Sequence, residues 1–396
     1  MRRHPAFAAA AVVVTAVAAL SGSFSATAAA GPTTLPANQY TVTADYHQFD
    51  AVNDALVSTL GTAPVHTVMD NANHDRTGLP STFQPAGLSG GFRFDSTDNG
   101  DCKNYPQGIT TSRDAVGTAN SGNYDGHQLV LVSWYTKSAC DGASTRSRIT
   151  LVDWDATYPN KYRKVLLVAP TGSATTPNFA DIPIHAGGVS WYGDYLYVAD
   201  TGHGMRVFDM RKILKTNTGG TADQIGRQSN GVYYAHNYGY VLPQIGTIAS
   251  HTTSGTNLVW STVSLDRVSK SIVVTEYTCP SGCTSYPNRA PRAIRFPFAS
   301  NGTFAANTTA SQALQLPWYK LNGVASHNGR WWFNSSGDKK LYYWASATGS
   351  ASYAFVSSGE SMSYWEDATN ADLLWTLQEG VGNRNVFAVT QATYDG

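Results

Sequence analysis

The chain has 396 residues with 27 basic and 27 acidic side chains, 42% hydrophobic and 12% aromatic residues, and only 14% charged ones. Balanced charge without a basic run excludes a strong attraction to nucleic acid or to an anionic membrane surface. The length suffices for one large domain with a buried core, and no Pro/Ser-rich linker divides it.

Residues 1–30 read as an export signal: Arg2 and Arg3, an apolar stretch from Ala6 to Leu20, and the small-residue exit SATAAA before Gly31. The apolar stretch is too short and too quickly followed by polar residues for a membrane anchor. The expected protein is therefore secreted, extracellular or wall-associated, as a single domain over residues 31–396 with a net charge of about −2. Between Gly31 and Gly108 only YTVTADY and VHTVMD are patterned. Two oxygen-rich stretches fall there and just beyond, Asp70, Asn71, Asn73 and Asp75, then Asp95, Asp98, Asn99 and Asp101. Both admit calcium, but neither keeps a calcium-loop spacing, so polar turns are the plainer reading.

From Gly108 onward one form returns five times: a small residue and a short apolar run, a tight polar turn, a second strand ending in polar residues, a loop, and a third strand. The returns are GITTSRDAVG with HQLVLVSWYT and RITLVDWD, GVSWYGDYLYVADTGHGMRVFDM, TVSLD with SIVVTEYT and RAIRFPF, GVASHNG with RWWFNSS and KKLYYW, and SMSYWEDA with DLLWTLQE and NVFAV. A fourth strand follows most of them: YRKVLLVAP, YVLPQIGTI, ALQLPWYK and SYAFV. Alternating β-branched and aromatic runs between Asn-Gly and Gly-Asp turns predict an all-β fold, a single β-propeller of four-stranded antiparallel blades. One short helix is expected near Met210 to Leu214. The last return runs out of chain before its fourth strand, so an N-terminal strand is expected to complete it and close the ring. The residues predict five to seven blades.

Four cysteines in an exported chain predict two disulfides. The blade reading puts Cys102 and Cys140 in neighbouring loops of one face and leaves Cys279 to pair with Cys283. No zinc or other metal site is expected from them.

The same loop assignment collects His185, Asp200, His203, Glu276, Tyr277, Arg289, Asn334, Asp338, Gln378, Glu379 and Arg384 on one face, the candidate site. His185 in PIHAGG is the sharpest of them, because two following glycines let the chain turn into the innermost strand and aim the ring at the channel. Structural loop polarity explains the whole set equally well. No GxSxG, HExxH or glycine-rich phosphate loop is present, so serine hydrolase, zinc protease and nucleotide readings have no motif, and no cofactor is expected.

The segments HAGGVSWYGDYLYVADTGHGMRVFDM, SLDRVSKSIVVTEY, NGVASHNGRWWFNSS and DLLWTLQEGVGNRNVFAV resemble a group of secreted actinobacterial propellers, the dispase autolysis-inducing group. That resemblance implies seven blades, no catalytic residues, an extracellular metalloprotease partner and cross-linking by transglutaminase. Gln39, in GPTTLPANQYT, is the glutamine best placed for cross-linking. A weaker similarity, to propeller-type rhamnose-glucuronate lyases, implies β-elimination on a uronate-containing polysaccharide. Under it the base is His185 or His74, the cation Arg206 and the acid Tyr277.

Overall fold

Strands rich in Val, Ile, Trp and Tyr, separated by left-handed Gly and Asn turns, assemble into five antiparallel blades arranged as a ring, the first two joined into one sheet where Leu166–Val168 pairs in parallel with Val241–Pro243. The computed structural model describes residues 26–137, 145–155, 160–281 and 284–396. Blade I comprises Asn104–Thr111, Leu129–Thr136, Ser147–Asp153 and Lys161–Gly172. Blade II comprises Val189–Tyr192, Tyr195–Asp200, Gly204–Asp209 and Tyr240–Thr252. Blade III comprises Thr262–Asp266, Ser271–Thr275, Arg292–Pro297 and Gln312–Gln315. Blade IV comprises Leu321–His327, Arg330–Ser335, Lys340–Ala345 and Gly349–Ala354. Blade V comprises Gly359–Trp365, Leu373–Gln378 and Asn385–Thr390, and takes its fourth strand, Leu88–Arg93, from the N-terminal part of the chain.

The fold is thus a β-propeller closed by an N-terminal strand, as the repeats predict. Its blade number is five, the number of clear returns, and not the seven that the resemblance implies. The residues ahead of Gly108 do not build further blades. They run around the outside of the ring instead. Thr27–Ala28 pairs with the outer strand of blade IV, Thr33–Thr34 with blade III, Tyr40–Asp45 with blade II, His74–Asp75 with blade I, and Thr77–Gly78 with the closing strand of blade V. This segment is a belt that touches every blade once around the circumference.

Packing follows from that ring. One apolar cluster fills each junction between neighbouring blades, and Trp134, Trp191, Trp260, Trp331, Trp332 and Trp375 are fully buried in them. The aromatic richness of the chain is therefore spent mostly on blade-to-blade contact, each such side chain being worth about 3–5 kcal/mol against Ala. At the centre the five innermost strands pack against one another, close enough that the Ser361 hydroxyl of one accepts from the Ile109 amide of the next. A Cβ on Gly188 would lie 2.2 Å from the Val263 nitrogen, and one on Gly108 would lie 2.8 Å from the Val189 nitrogen. That close approach is why each return begins with a small residue.

The structure also holds helices that the repeat reading did not anticipate. Asp50–Leu60 lays Val52, Leu56, Val57 and Leu60 against the outer strands of blades I and II, and VHTVMD, one of the two patterned stretches ahead of Gly108, forms a helix, Val65–Asp70. The helix expected near Met210 is a 3₁₀ turn, Met210–Lys212. Among the described residues no helix is long and apolar enough to cross a membrane. The expected export signal as far as Ser25, Cys140 and Cys283 lie outside the described residues, and so do both predicted disulfides.

Candidate functional site

The repeat places two sets of side chains at one end of the channel. The first set directly precedes the small residue of an innermost strand: Gln107, Ser261, Asn322 and Glu360, with His185 standing in on blade II, where the equivalent residue is Gly187. The second set follows the second strand of each blade: Lys137, Thr201, Tyr277, Ser336 and Glu379. With Tyr135 and Tyr286 they line a cavity of about 540 Å³, of the size that small-molecule sites have. Three of the innermost strands, in blades I, IV and V, carry a β-bulge at or just after the first-set residue. A bulge turns a side chain out of the normal alternation, and here it aims Gln107, Asn322 and Glu360 into the channel mouth.

Charge is concentrated where blades V and I meet. Glu360 is 5% exposed, and the Asn322 amide donates to its Oε1. Burial and the neighbouring Glu379 carboxylate push its pKa well above the usual carboxylate range, against the pull of Asn322 and Lys137, so the site favours its protonated form. Glu379 accepts a 2.7 Å hydrogen bond from the Gln107 amide. The Lys137 ammonium lies 3.7 Å from the centre of the Tyr105 ring. His185 is exposed at the cavity, its ring 4.3 Å from that of Tyr135. Burial, and then Lys137, hold its pKa down to about 4, which leaves a neutral imidazole. Tyr277, pushed up to about 12 by burial and then by Tyr286 and the two glutamates, stays a phenol, and its ring meets that of Tyr286 at 4.5 Å.

Of the residues expected to act together, His185 and Tyr277 share this cavity. Arg206 does not reach it: its guanidinium is held by Asp200 at 3.0 Å and by Gln244 at 2.9 Å. His74 lies on the outside of blade I, stacked on Tyr162 and bonded to Asp95 at 2.9 Å. Several other residues of the predicted face are structural. Glu276 is buried between Arg289 and Arg292, which binds it at 2.8 Å. Arg384 is buried and donates to the carbonyls of Asp98, Asp101 and Glu379, while Gln378 braces Ser357 and Asn385, and Asp338 accepts from Tyr342. Asn334 is buried, and His203 is exposed beside Asp200.

In the first oxygen-rich stretch Asp75 pairs with Lys161 at 2.6 Å, and the second is held by the protein's own donors. Asp95 caps the helix Ser96–Gly100, and the Asp98 carboxylate is met by Arg148 at 3.0 Å, Lys164 at 2.6 Å and the Tyr162 hydroxyl at 2.7 Å. Those two cations already neutralise it, so calcium has nothing to add there. Gln39 ends a 3₁₀ turn on the rim between blades III and II, half-buried, with its carbonyl accepting from the Thr253 amide.

No protein-family model matches the chain, and no curated protein matches it by sequence. Solved structures do. The β-propeller domain of Cps50 (Swd1) from Myceliophteria thermophila is 11% identical with a TM-score of 0.35, over 77% of this chain and 100% of that one. A catalytically inactive virginiamycin B lyase from Staphylococcus aureus with quinupristin is 11% identical with a TM-score of 0.32, over 80% and 99%. The PQQ-bound aldose sugar dehydrogenase from Streptomyces coelicolor is 15% identical with a TM-score of 0.30, over 80% and 96%. The likeness is one of fold alone.

Gln107, Lys137, Asn322 and Glu360 escaped the sequence reading. Their signal was positional: laid on top of one another, the five returns put each of them at a position whose counterparts on other blades also face the cavity.

Proposed function

We propose that the channel mouth is the active site of a glycan-cleaving enzyme, in which Glu360 protonates the leaving glycosidic oxygen and the Glu379 carboxylate acts as its counterpart, on water or on the sugar carbon. The observation that supports this most is the pair itself: two carboxyl groups facing one cavity, one biased towards its protonated form by burial and by the other's charge. Environments that push two carboxyl groups apart in this way assign acid and base roles. Tyr277 and Tyr286 offer aromatic faces for a sugar ring, and Gln107, Asn322, Thr201 and Ser336 offer hydrogen bonds to its hydroxyls. A neutral sugar suits this lining better than a uronate, whose carboxylate would meet Glu379.

The test is release of reducing ends from a panel of neutral polysaccharides. Glu360→Gln should lower turnover by about 10² to 10⁴, the usual contribution of a positioned acid, and Glu379→Gln should do the same. Cleavage that survives both changes would sink the assignment.

Elimination from a uronate-containing polysaccharide is a second reading, favoured by the neutral His185 imidazole beside Lys137. In that case His185 takes the proton next to the carboxylate, Lys137 takes the neutralising role in place of Arg206, and Tyr277 protonates the leaving oxygen. Ultraviolet absorbance of an unsaturated uronate product, lost in His185→Ala without a change in melting temperature, distinguishes it. The non-catalytic role, binding to an extracellular metalloprotease and cross-linking by transglutaminase, draws on none of this cavity chemistry. It depends on Gln39, whose main chain is pinned to Thr253. Mass mapping of a transglutaminase-incorporated amine is its measurement, with Gln39 expected to label ahead of the buried Gln244.

A further inference from the structure

At the opposite end of blade I from the cavity, His127 at the start of the second strand and Asp153 and Asp155 at the end of the third come together, with one donor atom from each within 4.8 Å of the others. Asp153 is fully buried. Its Oδ1 accepts from the Asp155 amide at 3.1 Å, but its Oδ2, also buried, has no hydrogen-bond partner. A buried carboxylate oxygen without a donor is costly, and the second carboxylate beside it adds repulsion. The Arg76 side chain, spread over the Trp154 ring, donates through Nε to the Asp153 carbonyl.

We propose that His127, Asp153 and Asp155 form a divalent-cation site of the zinc class. An imidazole nitrogen with two carboxylate oxygens is a donor set that suits zinc, whereas calcium and magnesium favour oxygen alone. The donors stand slightly wider than a bound zinc would hold them, so binding draws them together. The His127 Nδ1 to Asp155 Oδ2 separation is 3.8 Å, and two ligands on one tetrahedral zinc lie about 3.3 Å apart, given bonds near 2.0 Å. The Gln128 amide already donates to Asp155 Oδ2 at 3.0 Å, the kind of outer hydrogen bond that orients a carboxylate ligand. Asp155 keeps 16% of its side chain exposed, which provides a way in and leaves a coordination position for water. The site is separate from the glycan cavity and stands whether or not that reading holds.

The experiment is zinc titration of the chelator-stripped full chain by calorimetry, with cobalt as a spectroscopic probe. One equivalent of zinc should bind and raise the melting temperature, and cobalt should give a visible d–d band. Asp155→Asn and Asp153→Asn should each weaken zinc binding at least tenfold, and His127→Gln should abolish the cobalt band. Because a change at the buried Asp153 can also disturb folding, the partly exposed Asp155 is the deciding variant, with its metal-free melting temperature as the control. No uptake of zinc, uptake that Asp155→Asn leaves unchanged, or displacement of zinc by an equal concentration of calcium would each overturn the proposal.

Discussion

Glu276 and Glu360 are both buried carboxyl groups, and the protein treats them in opposite ways. Burial alone would raise the pKa of Glu276, but hydrogen bonds and charge from Arg289 and Arg292 outweigh it and hold the group below its ordinary value. Its contribution to stability is therefore complete above about pH 4.5 and is lost as the pH falls below that. Glu276→Ala should destabilise by about 3–5 kcal/mol, because two guanidinium groups lose their partner, as chemical denaturation near neutral pH will show. Glu360 has the reverse sign. With its pKa raised by burial and Glu379, its own contribution to stability is complete below about pH 4.5 and is lost as the pH rises above that towards the folded value. Melting temperatures across that range should fall in the wild type, with a shallower decline in Glu360→Gln. His185 and Tyr277 were legible because each stands beside a recognisable turn. Glu360 was not: a single glutamate before Ser361 says nothing until its counterparts on the other blades are found facing the same space.

At the scale of elements, the innermost strands were the most legible feature and the outer helices the least. Each return starts with a small residue because the channel allows nothing larger, and that constraint is written directly into the sequence at Gly108, Gly188 and Gly323. Gly188→Val should therefore cost at least about 1–3 kcal/mol as overpacking, since its Cβ would be driven into the Val263 backbone. Thermal melting checks it, and an unchanged midpoint would contradict the close approach. The helix Asp50–Leu60 was hidden by brevity: it buries Asn53 and Leu56 fully and its other apolar residues only in part, so its period is short and mixed. Between these extremes stand the cysteines. Peptide mapping without reduction should find Cys102 joined to Cys140 and Cys279 to Cys283; a link from Cys102 to Cys279 would contradict the arrangement of loops that also places the cavity.

For the whole molecule, the repeats supplied the ring and its closure, whereas the blade number implied by resemblance was two too many. The early part of the chain looked unpatterned because its strands are only two to six residues long and between them serve all five blades. No single hydrophobic period can describe a segment whose partners change every few residues. Removal of Leu88–Arg93 should abolish cooperative unfolding by opening blade V. Removal of residues 31–70 should leave that closure intact yet still lower the midpoint, because it strips strands from blades II and III together with two helices. Calorimetry of the two truncations separates these effects.

The belt also imposes an order of events. Every surface on which residues 27–93 come to rest belongs to sequence that follows them, so the first part of the chain to be made is the last that can settle. Until Asn385–Thr390 exists, the closing strand has nowhere to go, and a half-made protein is an unsealed arc with a loose leading end. Contacts that span almost the entire chain must form before the circle locks, and such long-range closure is slow. The finished ring has the converse property: neither Leu88–Arg93 nor Asn385–Thr390 can leave alone without undoing the seam they share.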